Sequence, residues 1–343
     1  MEQKKKIQQI EFHLGTLINK VLRQYLQRAD PGFEERGMYL SIMIMKWREL
    51  LQETVSPDIH YLSPAVASVV FCLLAMLLCV IMHKLSNVFL PGSIKLYALD
   101  YFKSVAIFTY PLAFGLTRTY HGHIGYCVIM VPINVISLLL MTEGSISPVD
   151  NFLFVIKGKQ ALWRSVVRIV IQVNGAISAF YLAQKIMQLE FHEDFKYMLS
   201  NACTSDLKVT VFLGFLLEMM GTSWDIWIWS LPLSRYHHIN LLIKMTNSAF
   251  VVCSGVHYTG MYNQPALATG YTFGCHGTSN AQHVFVYWIG PFIGGYVADY
   301  ITENFNTKLF SKEVMKKDFN NDKSRDQEVT KKTSTKHLKE KYN

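Results

Sequence analysis

The chain has 343 residues, of which 50% are hydrophobic and 17% are charged, whereas a soluble domain usually carries about 25% charged residues. The shortfall lies in long apolar blocks, so the composition excludes an ordinary soluble globular protein. The net charge is +8, and basic side chains are dense in residues 1–60, where nine Lys and Arg stand beside eight Asp and Glu, and in the tail after Leu309, where ten stand beside six. Beside apolar segments, such basic blocks are typical of the cytosolic face of a membrane protein, and nucleic-acid binding is not expected.

The first region, residues 1–60, is basic and partly amphipathic. Its apolar side chains recur at helical spacing at Ile7, Ile10, Leu14, Ile18, Val21, Leu22 and Tyr25. This pattern fits a helix that lies on the membrane surface, and it fits equally a solvated helix that packs on a neighbour. Residues 61–97 follow as an extra hydrophobic segment with its linker.

Seven apolar segments reach or approach the length needed to cross a membrane, because a hydrocarbon core of about 30 Å requires about 20 helical residues. They run over Leu62–His83, Ala98–Leu116, Gly125–Met141, Val166–Met187, Val209–Trp229, Ile239–Gly255 and Val284–Thr302. Strands are not expected, since the runs are long and lack an alternation with a period of two. The segments predict an all-α membrane protein.

Two further stretches, Ser147–Ile156 and Pro265–Phe273, are apolar but too short to span. Each has a proline at its start, where a helix tolerates it. They are therefore predicted to be half-helices that enter the membrane and stop. Such interruptions occur where irregular backbone is buried in protein or lines a water-filled path.

The order of these elements repeats along the chain. Each half reads as two spans, a short proline-led helix and a further span, which predicts an inverted repeat about a two-fold axis in the membrane plane. The N-termini of the half-helices would then meet at the bilayer centre, each carrying roughly half a positive charge. This arrangement repels cations and orients neutral hydroxyl or water oxygens.

Several segments resemble the aquaporin family, and in particular its divergent intracellular branch. The run from Tyr258 to Leu267 is similar to the second Asn-Pro-Ala signature, with Gln264, Pro265 and Ala266 at the motif itself, and Ser147, Pro148 and Val149 stand at the first. Residues that match the family's helix packing are Gln172, Gly175, Gly260, Trp288, Gly290, Pro291, Gly294 and Gly295. The resemblance implies six spanning helices and two half-helices beside the extra N-terminal segment, and a homotetramer in the lipid bilayer without a cofactor.

Both pore-facing asparagines of the family are replaced, by Ser147 and by Gln264. Glutamine keeps the amide on a longer stem, and serine keeps one donor with a shorter reach. Asn263 is a second candidate for the pore amide if the loop shifts by one residue. The replacements predict a pore of altered geometry.

The outer constriction departs from the family as well. Leu267 stands where the family has arginine, and ungapped counts place Val252, Met261 and Cys127 at the other constriction positions. This predicts an apolar ring that favours less polar solutes such as glycerol or hydrogen peroxide. The alternative, in which the four side chains only pack against one another, stays open.

Asp100 and Glu218 lie inside predicted spans at corresponding places in the two halves. A charge at the bilayer centre costs at least ~2.5 kcal/mol and therefore needs a partner. The resemblance implies that both carboxylates accept hydrogen bonds from the half-helix loops, with a proton relay as the weaker alternative. It also implies a possible disulfide between Cys203 and Cys275 on the non-cytosolic side, with two free thiols as the alternative.

No catalytic motif and no metal-ligand spacing is found in the sequence, so neither an enzyme nor a metal site is expected. Other charged residues in or near spans are expected to reach an interface with their polar ends. These are Lys103, Asp225, Lys244 and Asp299.

The basic residues Lys157, Lys159, Arg164 and Arg168, together with the basic tail, predict a cytosolic C-terminus. The extra segment Leu62–His83 would move the basic N-terminus to the other side, against the same rule, so its full crossing stays open. The run Lys339–Asn343 fits a retrieval address to the endoplasmic reticulum. The plasma membrane is the alternative location.

Together these features predict a channel domain over residues 98–303 that passes water or small neutral solutes, followed by a basic, disordered cytosolic tail over residues 304–343. Two alternatives stay open. One is a seven-span receptor, and the other is a non-conducting protein of the same fold with a role in assembly.

Overall fold

The computed structural model describes residues 62–200 and 203–306. The predicted amphipathic N-terminal helix lies outside the described residues, and so does the predicted disordered tail except for residues 304–306, which belong to a helical turn. Within these two ranges the chain is helical, apart from connecting loops and an isolated bridge between Thr204 and His276. This confirms the predicted all-α fold class.

Eleven α-helices lie within the described residues. They are α1 (Pro64–Phe89), α2 (Gly92–Thr109), α3 (Pro111–Leu140), α4 (Pro148–Ile156), α5 (Leu162–Met187), α6 (Glu193–Ser200), α7 (Val211–Ser230), α8 (His237–Thr259), α9 (Pro265–Thr272), α10 (Asn280–Val284) and α11 (Gly290–Ile301). A π-helical turn, Phe285–Ile289, joins α10 to α11, and a second one, Thr302–Asn306, extends α11. The two predicted half-helices are α4 and α9.

Six stretches of the described residues are long and apolar enough to cross a membrane, and one of them, Ile94–Leu140, has 47 residues. A straight helix of that length would measure about 70 Å, more than twice the hydrocarbon core. The stretch instead folds back at Gly122, whose backbone angles are φ 63° and ψ −162°, a conformation that favours glycine. The hydroxyl oxygens of Tyr110 and Ser137 lie 2.9 Å apart across this hairpin. We call its two arms limb A (residues 92–121) and limb B (residues 123–140).

Helix α1 runs alongside the hairpin over its whole length. The Ser68 hydroxyl donates to the carbonyl oxygen of Ala113 at 2.8 Å near one end, and Nε2 of His83 lies 3.1 Å from the carbonyl oxygen of Glu143 near the other. With 26 residues, α1 is about 39 Å long, enough to cross a bilayer. The extra segment is therefore a seventh full-length helix of the described chain, antiparallel to limb A.

The predicted inverted repeat is visible in the packing of the two halves. Limb A packs against α5 in the first half, and α7 packs in the same way against α11 in the second. Both contacts are close because small residues lie in them. A Cβ atom on Gly175 would lie 2.8 Å from Cβ of Ser104, and one on Gly294 would lie 2.3 Å from the carbonyl oxygen of Met219. Small residues of this kind let helix backbones approach in a membrane.

Each half-helix is seated against the opposite half of the molecule. A Cβ atom on Gly270 of α9 would lie 2.7 Å from the carbonyl oxygen of Ala176 in α5, and one on Gly295 of α11 would lie 2.3 Å from Cγ1 of Val149 in α4. Within the second half, the indole N–H of Trp288 donates to Thr269 in α9 at 2.9 Å. The short helices are therefore held by the spans that surround them.

The remaining members of the predicted last-helix pattern lie at the start of α11. Gly290 and Pro291 are both buried, and Pro291 occupies the first turn of the helix. A Cβ atom on Gly290 would lie 3.2 Å from the carbonyl oxygen of Phe215 in α7. These residues keep α11 close to α7, which in turn carries the wall of the cavity described below.

Replacing Gly294 by alanine is expected to lower the free energy of unfolding by ~1–3 kcal/mol, because the added methyl group meets backbone that has no room to move. Thermal unfolding of the detergent-solubilised protein measures the effect. Gly92→Ala serves as the matched control, since no atom lies within 4 Å of a Cβ at that position. Equal melting temperatures for the two variants would contradict the close contact between α7 and α11.

Candidate pore

A cavity of about 800 Å³ lies between the two halves of the inverted repeat. Its wall contains loop residues, apolar side chains and charged side chains. The loop residues include Ser145, Ser147, Gly260, Asn263 and Gln264, the apolar ones include Tyr126, Met130, Val252, Val256, Met261 and Leu267, and the charged ones are Lys103, Arg118, Asp150, Asp206 and Asp225.

The N-terminal ends of α4 and α9 both reach this cavity. Ser147 and Gln264, the residues just before the two half-helices, line its wall. Pro148 and Pro265 stand in the first turns and are buried behind them. The two half-helices also contact each other. The structure thus brings the two predicted motifs together at one place.

The loop before α4 is supported by Asp100, whose side chain is fully buried. Its Oδ1 atom accepts a hydrogen bond from the backbone N–H of Ser145 at 2.7 Å. The guanidinium of Arg168 donates to both carboxylate oxygens, at 2.6 Å through Nε and at 3.0 Å through Nη2. The sequence predicted the loop contact but placed Arg168 only among the basic residues that set the orientation. The signal for this pairing was an arginine inside an apolar span, which requires a partner.

The loop before α9 is supported in the same way by Glu218, which is also fully buried. Its carboxylate accepts hydrogen bonds from the hydroxyl of Thr259 at 2.7 Å, from the backbone N–H of Tyr262 at 3.1 Å and from that of Asn263 at 2.8 Å. These three donors are neutral. The two carboxylates therefore occupy corresponding places, but only Asp100 is paired with a buried cation among the described residues.

Amide side chains complete the support of the first loop. The side-chain N–H of Asn151 donates to the carbonyl oxygen of Ser147 at 3.1 Å and to Gln172 at 3.2 Å. The amide of Gln172 donates in turn to the carbonyl oxygen of Ser145 at 3.0 Å. The Ser147 hydroxyl accepts a hydrogen bond from the backbone N–H of Asp150 at 3.1 Å. Ser147 is therefore the N-cap of its own half-helix, and its hydroxyl keeps its hydrogen and one lone pair for the cavity.

The second motif offers an acceptor to the cavity. The side-chain oxygen of Gln264 is buried and has no hydrogen-bond partner in the described part of the chain. The neighbouring Asn263, the second candidate for the pore amide, is held by α7, since its side-chain oxygen accepts a hydrogen bond from the Thr222 hydroxyl at 3.4 Å. Of the two side-chain oxygens, that of Gln264 is the one without a partner among the described residues.

Met261 is fixed by two glycines. A Cβ atom on Gly221 of α7 would lie 2.0 Å from Cε of Met261, and one on Gly255 of α8 would lie 2.4 Å from its sulfur atom. The backbone of Met261 adopts a positive φ of 46°, next to Gly260 with φ 81°. Side chains larger than hydrogen at the two glycine positions would expel the thioether, so the glycines create the space from which Met261 lines the cavity.

The structure places three of the four predicted constriction residues on the wall. Val252 and Leu267 line the cavity with Met261, and Leu267 also packs against the buried cluster around Phe108. Cys127 is not among the wall residues, and Tyr126 lines the cavity in its place. The ungapped count from Ser147 therefore predicts a position one residue away from the one that lines the cavity.

Charged groups on the wall were not predicted as pore residues. The ammonium group of Lys103 is buried and donates to the carbonyl oxygen of Gly144 at 3.0 Å. Asp225 accepts hydrogen bonds from the Ser248 hydroxyl at 2.8 Å and from the Asn247 amide at 3.0 Å. Both residues were predicted to reach a membrane interface with their polar ends, but they line the internal cavity. The length of a side chain does not show which of these two surfaces it reaches.

The two ends of the domain carry further cross-links between loops and helices. A disulfide joins Cys203, ahead of α7, to Cys275, after α9, with the Cα atoms 5.1 Å apart. At the other end, Lys157 follows α4 and forms an ion pair with Asp299 of α11. This hydrogen bond to Asp299 raises the pKa of the Lys157 ammonium above its usual value. Each half-helix is thus tied at its outer end as well as at its tip.

Comparisons with known proteins assign the chain to a family. The family model described as Major intrinsic protein matches residues 61–302. Aquaporin-12 of Mus musculus is 26% identical over 160 residues, which are 45% of this chain and only 54% of the mouse protein. Aquaporin SIP1-1 of Zea mays is 25% identical over 192 residues, or 52% of this chain and 75% of the maize protein. The X-ray structure of the aquaglyceroporin from Plasmodium falciparum matches with a TM-score of 0.40 and 12% identity, over 71% of this chain and 98% of that one.

Asp100→Asn is expected to destabilise the protein more than Glu218→Gln does. Removing one partner of a buried ion pair costs ~3–5 kcal/mol because the other charge stays buried without compensation, whereas a buried donor that loses its acceptor costs ~1–3 kcal/mol. Thermal unfolding in detergent compares the two variants. The double variant Asp100→Asn with Arg168→Met is expected to recover part of the loss, and a double variant less stable than Asp100→Asn alone would contradict the role of Arg168.

Proposed function

The chain belongs to the major intrinsic protein family of membrane channels, and we propose that it passes water and small neutral solutes, including glycerol and hydrogen peroxide, along the cavity between its two halves. The observation that carries this proposal is the meeting of two half-helix tips, Ser147 and Gln264, on the wall of one cavity. No chemical step is required of the protein, because the movement is passive and down a gradient.

The half-helices give the passage its preference for neutral solutes. Each N-terminus carries roughly half a positive charge and several backbone N–H groups without a helical partner. Two such ends facing one cavity repel a cation and favour an oxygen atom that accepts hydrogen bonds. The side-chain oxygen of Gln264, which lacks a partner among the described residues, accepts in turn from a hydroxyl group of the solute.

The wall on the non-cytosolic side sets the choice among neutral solutes. Tyr126, Val252, Met261 and Leu267 line it, and three of these side chains offer no strong hydrogen bond. A narrow apolar passage dewets readily and discriminates against water in favour of less polar molecules. We therefore propose that glycerol and hydrogen peroxide pass more readily, relative to water, than they would through a polar constriction.

The sequence left two alternatives open, a receptor and a non-conducting protein, and different observations distinguish each of them from a channel. A seven-span receptor requires neither the paired half-helices nor the cavity that they share, and membership of a channel family removes its main support. A non-conducting protein with this fold keeps the same architecture with a closed passage. Solute flux separates it from the channel, because the two differ in transport alone.

Location and assembly are proposals of the same kind. The resemblance to the divergent intracellular branch of the aquaporin family supports an intracellular membrane, and we propose that location. The resemblance to the aquaporin family supports a homotetramer. Fluorescent tagging of the intact chain and its size in native detergent micelles would test the two statements separately.

Val252→Trp is expected to abolish solute flux in proteoliposomes, because the indole would project from the wall and obstruct the passage at this point. Phe250→Trp is the matched control, since Phe250 lies on the same helix but is 69% exposed on the outer surface. Light scattering after a glycerol or sucrose step measures glycerol and water movement, and an entrapped reporter measures hydrogen peroxide. Flux that survives Val252→Trp unchanged, or no flux in the unmodified protein, would overturn the channel proposal.

Val252→Thr is expected to raise water permeability about fivefold, because one added hydrogen bond of ~1 kcal/mol lowers the barrier at an apolar ring by that amount. The two side chains have the same shape, so packing changes little. Val166→Thr, on the exposed face of α5, is the control for a hydroxyl placed elsewhere. Water flux that stays level or falls in Val252→Thr would argue against an apolar barrier to water.

A further inference from the structure

Two cysteines face each other at the contact between limb B and α8. The sulfur atoms of Cys127 and Cys253 lie 3.8 Å apart, and both residues are half-buried free thiols. The other two free cysteines in the described ranges, Cys72 and Cys79, are buried in α1. The pair is therefore distinguished from the remaining thiols by both its spacing and its exposure.

The pair stands directly behind the wall of the cavity. Cys127 follows Tyr126, and Cys253 follows Val252, and both of these neighbours line the cavity. Limb B and α8 are in contact along this seam. An approach of limb B and α8 that brings the two sulfur atoms together therefore moves two of the side chains that line the cavity.

The spacing is close to that needed for a covalent bond. A disulfide requires the sulfur atoms about 2.05 Å apart, so closure from 3.8 Å needs a movement of less than about 2 Å. Rotation about the side-chain bonds together with a small approach of the two helices supplies it. The disulfide between Cys203 and Cys275 shows that the chain already contains one cross-link between segments of its second half.

We propose that Cys127 and Cys253 form a redox-sensitive pair, which hydrogen peroxide converts to a disulfide that narrows the passage and slows the flux of solutes. One thiol is first oxidised to a sulfenic acid as peroxide is reduced to water. The second thiol then attacks that sulfur atom, the S–S bond forms and a second water leaves. Two thiols lose two electrons and two protons, and one peroxide yields two waters.

The direction of the effect follows from the geometry. Bond formation draws limb B and α8 together beside Tyr126 and Val252, which face the same cavity. A shorter distance between these two walls leaves less room for a solute. The slowing of flux rests on the proposed channel function, whereas the formation of the disulfide does not.

The test uses the full chain in proteoliposomes before and after treatment with hydrogen peroxide. Mass spectrometry of non-reduced peptides is expected to find Cys127 linked to Cys253, and glycerol flux is expected to fall severalfold and to recover with dithiothreitol. In Cys253→Ser, peroxide is expected to leave the flux of that variant at its own untreated value. Cys79→Ser, the matched control in α1, is expected to respond as the unmodified protein does.

The outcomes separate this inference from the proposed function. Absence of the linked peptide, or an equal loss of flux in Cys253→Ser, would contradict the proposal that Cys127 and Cys253 form a redox-sensitive pair. A linked peptide without a change in flux would contradict the proposal that the disulfide slows the flux of solutes. An untreated protein that conducts nothing would overturn the channel function and the slowing together, while the peptide map would still decide whether the disulfide forms.

Discussion

Every interruption of a helix inside a membrane leaves backbone N–H groups that lipid cannot satisfy, and this fold depends on how two such interruptions are satisfied. Buried carboxylates provide the answer in both halves, Asp100 for the loop before α4 and Glu218 for the loop before α9. Without these acceptors, the loops would lose their position and the half-helix tips would not meet. The cavity exists because the loops are fixed from behind.

The spans must then pack closely enough to bring the carboxylates to the loops. Small residues make this possible, as at Gly294 against Met219 and at Gly270 against Ala176. The second contact joins opposite halves of the repeat, so neither half is complete alone. Close helix packing, loop support and the formation of the passage are therefore linked parts of one arrangement.

The sequence predicts those features that depend on local rules. Proline at a helix start marked both half-helices to within a residue or two, and glycine-rich spacing marked the last span, because these residues act on their own backbone. Contacts between residues that are remote in the chain are not predicted by local rules. Arg168 and Asp100 are an example, because they are far apart in sequence and meet only after folding. The ungapped count predicted Cys127 at the constriction, whereas Tyr126 lines the cavity. Successive helical residues point about 100° apart, so an error of one residue replaces a side chain on the wall by one at the contact between two helices.

The tips of the half-helices depart from the pattern of the family that the sequence resembles, and the support of the loops explains how the fold tolerates this. Ser147 caps its own helix and Gln264 retains an acceptor without a partner in the described structure, so neither tip residue holds the opposite half-helix in place. The buried carboxylates and the close contacts at the glycines hold the half-helices in place. The tips are consequently free to vary in chemistry without loss of architecture, and under the proposed function the choice of permeating solute is made at the tips and the adjoining apolar wall.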